Sequence, residues 1–193
     1  NSLFEVDGDF LITDEGIASL EVDEENNKAI VKIREGVKWS DGEPLKIEDL
    51  ILPYEIIADK DYEGVRYDGD LQNIVGIEEY HAGTADTISG LVKVDETTLE
   101  MSFKKLSPAI YSGGDGLWTY AAPSHQIGDI PVADLLSHDA VRKNPVTLGA
   151  FKVDKIVPGE TVQYVANEHY WKGKPKLDGV LVNVVPSSSI SVA

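Results

Sequence analysis

With 193 residues, 42% of them hydrophobic, the chain can bury a sizeable core and suits one domain, or one with a small subdomain. Its net charge of -17, from 34 acidic against 17 basic residues, argues against nucleic acid and anionic membrane surfaces as partners, since both need basic patches; keeping the protein soluble is the plainer use of that acidity. The absence of cysteine excludes disulfides, cysteine-ligated zinc and thiol nucleophiles, and no apolar run approaches the roughly 18 residues that a membrane-spanning helix needs.

Asn1 to Glu24 opens irregularly, with a turn at Asp7-Gly8-Asp9 and a short apolar patch at Phe10-Leu11-Ile12. A strand around Leu20 to Val22 is expected to pair antiparallel with Ala29 to Ile33 across the polar turn Asp23 to Lys28. In Val31-Lys32-Ile33-Arg34 apolar residues alternate with cations, which points Val31 and Ile33 inward and Lys32 and Arg34 to water. Glu35-Gly36 makes a turn, and Val37-Lys38-Trp39 predicts a second short strand that Ser40-Asp41-Gly42 stops. From Ile47 onward Ile47, Leu50, Ile51, Tyr54 and Ile57 fall at helical spacing, with Glu48 and Asp49 in the first turn, where the helix dipole favours anions. Pro53 lacks an N–H and predicts a kink or a fresh start in that helix.

The run Asp59 to Gly64, followed by Asp70, places carboxylates at positions 1, 3, 5 and 12 of a calcium-type loop with glycine at 6. Asp at the last position, Arg66 at position 8 where an apolar residue is normal, and the want of a clear helix-loop-helix pair favour an acidic surface loop instead. Leu71, Ile74, Val75, Glu78 and Glu79 suggest one helix with an apolar stripe, ended at Gly83. Leu91 to Val94 and Thr98 to Phe103 predict a second hairpin, with Leu99, Met101 and Phe103 on one face.

Residues 107 to 125 are the most aromatic and least regular stretch. A flexible Ser112-Gly113-Gly114-Asp115-Gly116 stands among Tyr111, Trp118 and Tyr120. Two readings stay open: the loop lines one wall of a binding cleft, or Trp118 and Tyr120 pack beneath it as a satellite core. It is not a phosphate loop, because G-x-x-x-x-G-K-[ST] and a following helix are missing. Pro131 suits the first turn of a helix over Val132 to Leu136, and Ser137 is expected to cap Asp139 to Lys143 before Asn144-Pro145 ends it. Phe151 to Val157 and Thr161 to Ala166 form a third predicted hairpin around Pro158-Gly159. Trp171 is expected in the core or under a turn. Val180 to Val185, apolar on both faces except at Asn183, predicts an interior strand covered on both sides.

Catalytic and metal signals are weak. His81, His125, His138 and His169 form no H-x-x-x-H pair, Ser137-His138-Asp139 are too close in sequence to converge as a triad, and no G-x-S-x-G elbow exists. Neither a catalytic residue nor a metal or other cofactor is expected.

The most specific signal is co-linear. REGVKWSDGEPLKIEDL, from Arg34 to Leu50, resembles a signature of the family 5 extracellular solute-binding proteins, the oligopeptide- and dipeptide-binding components of bacterial ABC importers. NIVGIEEYHAGTADTISGL at Asn73 to Leu91 and VRKNPVTLGAFKVDKIVPGETVQYVANEHYWKGKPKLDGV at Val141 to Val180 resemble later segments of that family in the expected order. The details look nearest to Gram-positive oligopeptide-binding lipoproteins. Departures are Thr147 where glycine is common and Gly149-Ala150-Phe151 in place of Gly-Pro-aromatic, which could loosen a turn.

The resemblance implies a mixed α/β fold of the periplasmic-binding-protein-like II type, with a mixed sheet of β-hairpins and short flanking helices. Family members are much longer and close two lobes on a ligand, so residues 1–193, ending in Ser187 to Ala193, are expected to be an excised part of lobe I. The implied function is capture of extracellular oligopeptides for an ABC permease and ATPase. Membrane attachment would come only through an N-terminal lipid anchor that this sequence lacks. Tyr111, Gly113, Gly114, Asp115, Trp118 and Tyr120 become the candidate peptide-binding residues. Relatives that take nickel chelates, haem or sugars share these motifs, and a carboxylate hydrolase or a calcium-stabilised adhesion module remain as rivals.

Overall fold

The computed structural model describes residues 2–185; Ser187 to Ala193, expected to be the tail of an excised piece, lie outside them. The class is mixed α/β, but among the described residues the strands divide into three antiparallel sheets rather than joining one mixed sheet. β1 (Glu5–Val6) pairs with β2 (Ile12–Thr13). β3 (Ala18–Asp23), β4 (Lys28–Ile33), β5 (Leu91–Lys93) and β6 (Thr98–Ser102) form a sheet of order β3-β4-β6-β5. β7 (Phe151–Val157), β8 (Thr161–Ala166) and β9 (Gly179–Asn183) form the third, in that order.

Two of the expected hairpins build the four-stranded sheet. Asp23 accepts the Asn26 amide at the β3–β4 turn, and Asn27 adopts the left-handed φ of 52° that closes it. β4 and β6 pair from Lys28↔Ser102 to Lys32↔Thr98, which aligns Ala29 with Met101 and Val31 with Leu99 on one face. Those four, with Ile33 and Phe103, are buried, whereas Lys32 and Arg34 face water. α1 (Glu48–Ala58) covers the buried face: Leu50, Tyr54 and Ile57 join the same core, and the Tyr54 hydroxyl reaches Met101 Sδ at 4.0 Å. Burying each of the larger apolar side chains contributes about 1.5–3 kcal/mol, which makes this packing the main source of order.

Of the two outcomes expected at Pro53, α1 makes no fresh start. It runs through Pro53 without a break, and the Asp49 carbonyl that Pro53 cannot serve accepts the Ala122 amide instead, at 2.8 Å. Val37 to Trp39 is another correction: Val37 and Trp39 are buried and Lys38 exposed, as alternation predicts, but pairing shrinks to the single bridge Lys38↔Pro44. Pro44 has no N–H with which to extend a ladder.

The single helix expected over 71–79 is two pieces, a 3-10 turn at Leu71–Asn73 and α2 (Ile77–His81). Between them Ile74 is extended and bridges Phe103, and Gly76 takes φ 80° where any Cβ would strike Ser89. Gly83, with φ 69°, ends α2 as expected. α3 (Ser124–Ile127), α4 (Val132–Leu135) and α5 (Asp139–Arg142) are single turns. The cap of α5 is His138, whose Nδ1 accepts the Ala140 amide; Ser137, the expected cap, donates its hydroxyl to the Asp134 carbonyl.

β7 and β8 form the expected third hairpin, with Gly159 at φ 77° in its turn and an irregularity between Val153 and Lys155. β9 does not match its expectation. It is the edge strand of the third sheet and all five of its residues are exposed. Its apolar pattern is that of a covered strand, but among the described residues no layer packs on it. The seam between this hairpin and the main body combines apolar packing with polar bonds: Leu148 is buried in the main core, and Val146 and Trp171 pack against it. Ser40 donates its amide to the Thr147 carbonyl and accepts the Thr147 amide on Oγ, and the buried Asn167 donates to the Gly149 carbonyl. Thr147 also braces the turn that it was expected to loosen, accepting from the Gly149 amide and donating to the Phe151 carbonyl.

Candidate functional site

The aromatic loop is more ordered than its glycines imply. Ser107 caps a 3-10 turn at Pro108–Ser112, which Gly113 ends with φ 82°. Tyr111 on that turn is 38% exposed and donates its hydroxyl to Glu24 at 2.9 Å, so it ties the loop to the β3–β4 hairpin. The Gly114 amide bonds the Ala109 carbonyl, and a Cβ at Gly114 would meet Ala109. Asp115, at φ 55°, accepts from the amide and hydroxyl of Ser107, while its carbonyl accepts from Asn73. Tyr111, Gly113, Gly114 and Asp115 are therefore engaged in holding the loop's shape.

Trp118 and Tyr120 stand apart from that brace and together. Their rings meet edge to face with centroids 6.3 Å apart, and the Arg66 guanidinium lies 6.0 Å from the Trp118 ring. Trp118 packs partly against the core, whereas Tyr120 is 53% exposed. Trp118 fits the satellite-core reading, and Tyr120 presents an aromatic face to solvent. Arg66, which the sequence marked only as an intruder in a calcium-type loop, joins them.

Two residues that the sequence places only in the apolar stripe and the first turn of α1 position this pair. Tyr54 is buried in α1, and its oxygen accepts the Trp118 amide at 2.7 Å; burial pushes its phenol well up, only partly opposed by that bond. Asp49, 1% exposed, accepts Trp39 Nε1 at 2.8 Å, the Lys46 amide at 3.0 Å, and both the amide and the hydroxyl of Ser124, at 2.8 and 2.6 Å. A buried carboxylate with four donors is well compensated, and it fixes the loop's exit onto α1. Next to it, His125 Nε2 lies 2.8 Å from Asp41. Burial pushes the Asp41 carboxyl up, but the His125 ring and the Glu43 amide outweigh it and leave the group below its ordinary range.

Other candidate chemistry is dispersed. Ser137 and His138 bond to backbone rather than to each other, and Ser124 and His125 serve different carboxylates. In the acidic loop Asp59 and Asp68 accept amides of their own turn. No group of three or more His, Cys, Asp or Glu side chains among the described residues could hold a metal ion.

A family model described as "Bacterial extracellular solute-binding proteins, family 5 Middle" matches residues 15–193. The oligopeptide-binding protein OppA of Lactococcus lactis subsp. cremoris is 36% identical over an alignment that covers 100% of this chain and 33% of that protein. Lactococcal OppA complexed with an endogenous peptide in the closed conformation superposes with a TM-score of 0.91 at 35% identity, over 96% of this chain and 35% of that one. AppA from Bacillus subtilis in complex with a nonapeptide gives 0.79 at 25% identity, over 99% of this chain and 35% of that one. The chain thus spans about a third of the length of the relatives it matches.

Proposed function

The chain belongs to the family 5 bacterial extracellular solute-binding proteins, and on that premise we propose that it is part of lobe I of a substrate-binding component of an ABC importer. The component captures oligopeptides outside the cytoplasm and delivers them to a membrane permease driven by an ATPase. The carrying observation is the TM-score of 0.91 to a relative solved around an endogenous peptide. The polypeptide is non-catalytic in this reading and held at the cell surface by an N-terminal lipid anchor. Tyr120, with Trp118 and Arg66 behind it, forms part of the cleft wall, and recognition is completed by a second lobe whose hinge closure buries the ligand.

The exposed aromatic face supports this assignment, because tyrosine and tryptophan offer contact area at little cost in side-chain entropy. Main-chain hydrogen bonds to an extended peptide would tolerate varied sequences. A backbone-amide NMR titration with a pool of four- to eight-residue peptides tests the wall. Weak, saturable shifts centred on Trp118 to Tyr120 and Arg66 are expected. Shifts confined to other surfaces would overturn the wall assignment. Absence of peptide binding by the full-length polypeptide would overturn the proposed function.

A further inference from the structure

The other side of α1 carries a groove that the peptide-capture reading does not use. Its larger cavity, about 510 Å³, lies between Ile56 and Tyr62 on one side and Val132, Leu135 and Leu136 on the other. A second cavity of about 270 Å³ adjoins it, sharing Ile56 and Val132 and continuing over Leu52, Ile127 and Ile130. Leu136 is 78% exposed beside this apolar floor. Isolated exposed leucines are ordinary; one bordering a continuous apolar groove marks a surface that gains by being covered.

The charge around the groove says what could cover it. Glu55, Asp59 and Asp129 line the smaller cavity and Asp61 and Glu63 the larger, whereas Lys60 is the one lysine or arginine lining either among the described residues. None of these five carboxylates takes part in an ion pair among the described residues. Glu55 is half-buried, and burial pushes its carboxyl up. After burial, Glu55 and Asp59 also push the neighbouring Tyr80 phenol up, which registers a local negative field. An apolar floor under unneutralised carboxylates repels acidic segments and anionic membranes alike.

We propose that this groove seats a protein segment carrying apolar side chains together with lysine or arginine, its apolar residues entering the larger cavity and a cation reaching Glu55, Asp59 and Asp129. The assignment is independent of the peptide cleft, since it rests on a different face and a different chemistry.

The probe is a labelled synthetic helical peptide with leucine on one face and lysine on the other, titrated by fluorescence anisotropy against the full chain at low salt. Saturable binding is expected. It should weaken about tenfold in the triple variant Glu55→Gln, Asp59→Asn, Asp129→Asn and again in Leu136→Ser, but by less than about twofold in Asp9→Asn, Asp14→Asn, Glu15→Gln. The second triple variant removes equal charge elsewhere. Equal weakening by both triples would reduce the effect to non-specific attraction and overturn the proposal. Unchanged binding by Leu136→Ser, equal affinity for a glutamate-for-lysine peptide, or preferential binding to anionic vesicles would each do the same. Circular dichroism on every variant separates loss of binding from loss of fold.

Discussion

The four-stranded sheet and the three-stranded sheet are built from similar material and end in opposite circumstances. β4 and β6 alternate apolar with polar residues, and α1 lies over the apolar side, so Ala29, Val31, Leu99 and Met101 are buried. β9 carries Val180, Leu181 and Val182 in an unbroken row, and its Leu181 remains 60% exposed. Strand hydrophobicity specifies what a surface needs, and only a second layer supplies it. The core concentrates where α1 closes on the first sheet.

That contrast can be broken by truncation. Met101→Ala or Leu99→Ala should cost about 2–5 kcal/mol in urea unfolding, because each leaves a cavity under α1. Leu181→Ala should fall within about 0.5 kcal/mol of the parent. Equal costs would mean that the β9 face is covered in solution.

The polar side of the packed region gives the next largest effect. Asp49→Asn, which keeps the shape but loses half of the acceptor capacity, should cost about 1–3 kcal/mol. It should also shift the indole N–H resonance of Trp39, bonded to Asp49 in the parent. An unmoved indole signal would show that the carboxylate is not the acceptor.

The contact between Asp41, in the turn after Trp39, and His125 of α3 responds to pH. The Asp41 carboxyl is held below its ordinary range, so its contribution to stability is full above about pH 4, the unfolded value, and is lost as pH falls through the lower folded value. Asp41→Asn should flatten the stability profile below about pH 4 and leave the fold above it intact. An unchanged acid limb would remove the His125–Asp41 contact as a contributor. Glu55 has the opposite sign. Burial raises its carboxyl, so ionisation works against the fold, and Glu55→Gln should give a small gain at neutral pH that vanishes on acidification. A loss at neutral pH would indicate a cation partner for Glu55.

Much of the fold was legible because the relevant signals are local. The turn at Asp23 to Lys28, the pair Pro158-Gly159 and the stop at Gly83 lie within a few residues of what they organise, and all behave as expected. The start of α1 was legible for the same reason. The failures depend on partners distant in sequence. Leu71 to Glu79 has an apolar stripe, yet the bridge from Ile74 to Phe103 and the left-handed Gly76 divide it. Asp49 could be read only as a first-turn anion, because its partner Ser124 lies 75 positions away. Of the candidate site, aromatic content led to Trp118 and Tyr120 but offered no way to see that Asp115 binds Ser107 or Tyr111 binds Glu24. Arg66 was hidden because cation–aromatic contacts leave no mark on periodicity.

Pro53 has one more consequence. Its missing N–H frees the Asp49 carbonyl for Ala122, and one turn further along the same helix Tyr54 holds the amide of Trp118. Tyr120 therefore sits at the middle of a five-residue span, from Trp118 to Ala122, moored at both ends to a single rigid rod. Whatever meets Tyr120 encounters a surface whose backbone freedom was surrendered during folding. Little ordering entropy is left to oppose the encounter, so even a small contact area there can count.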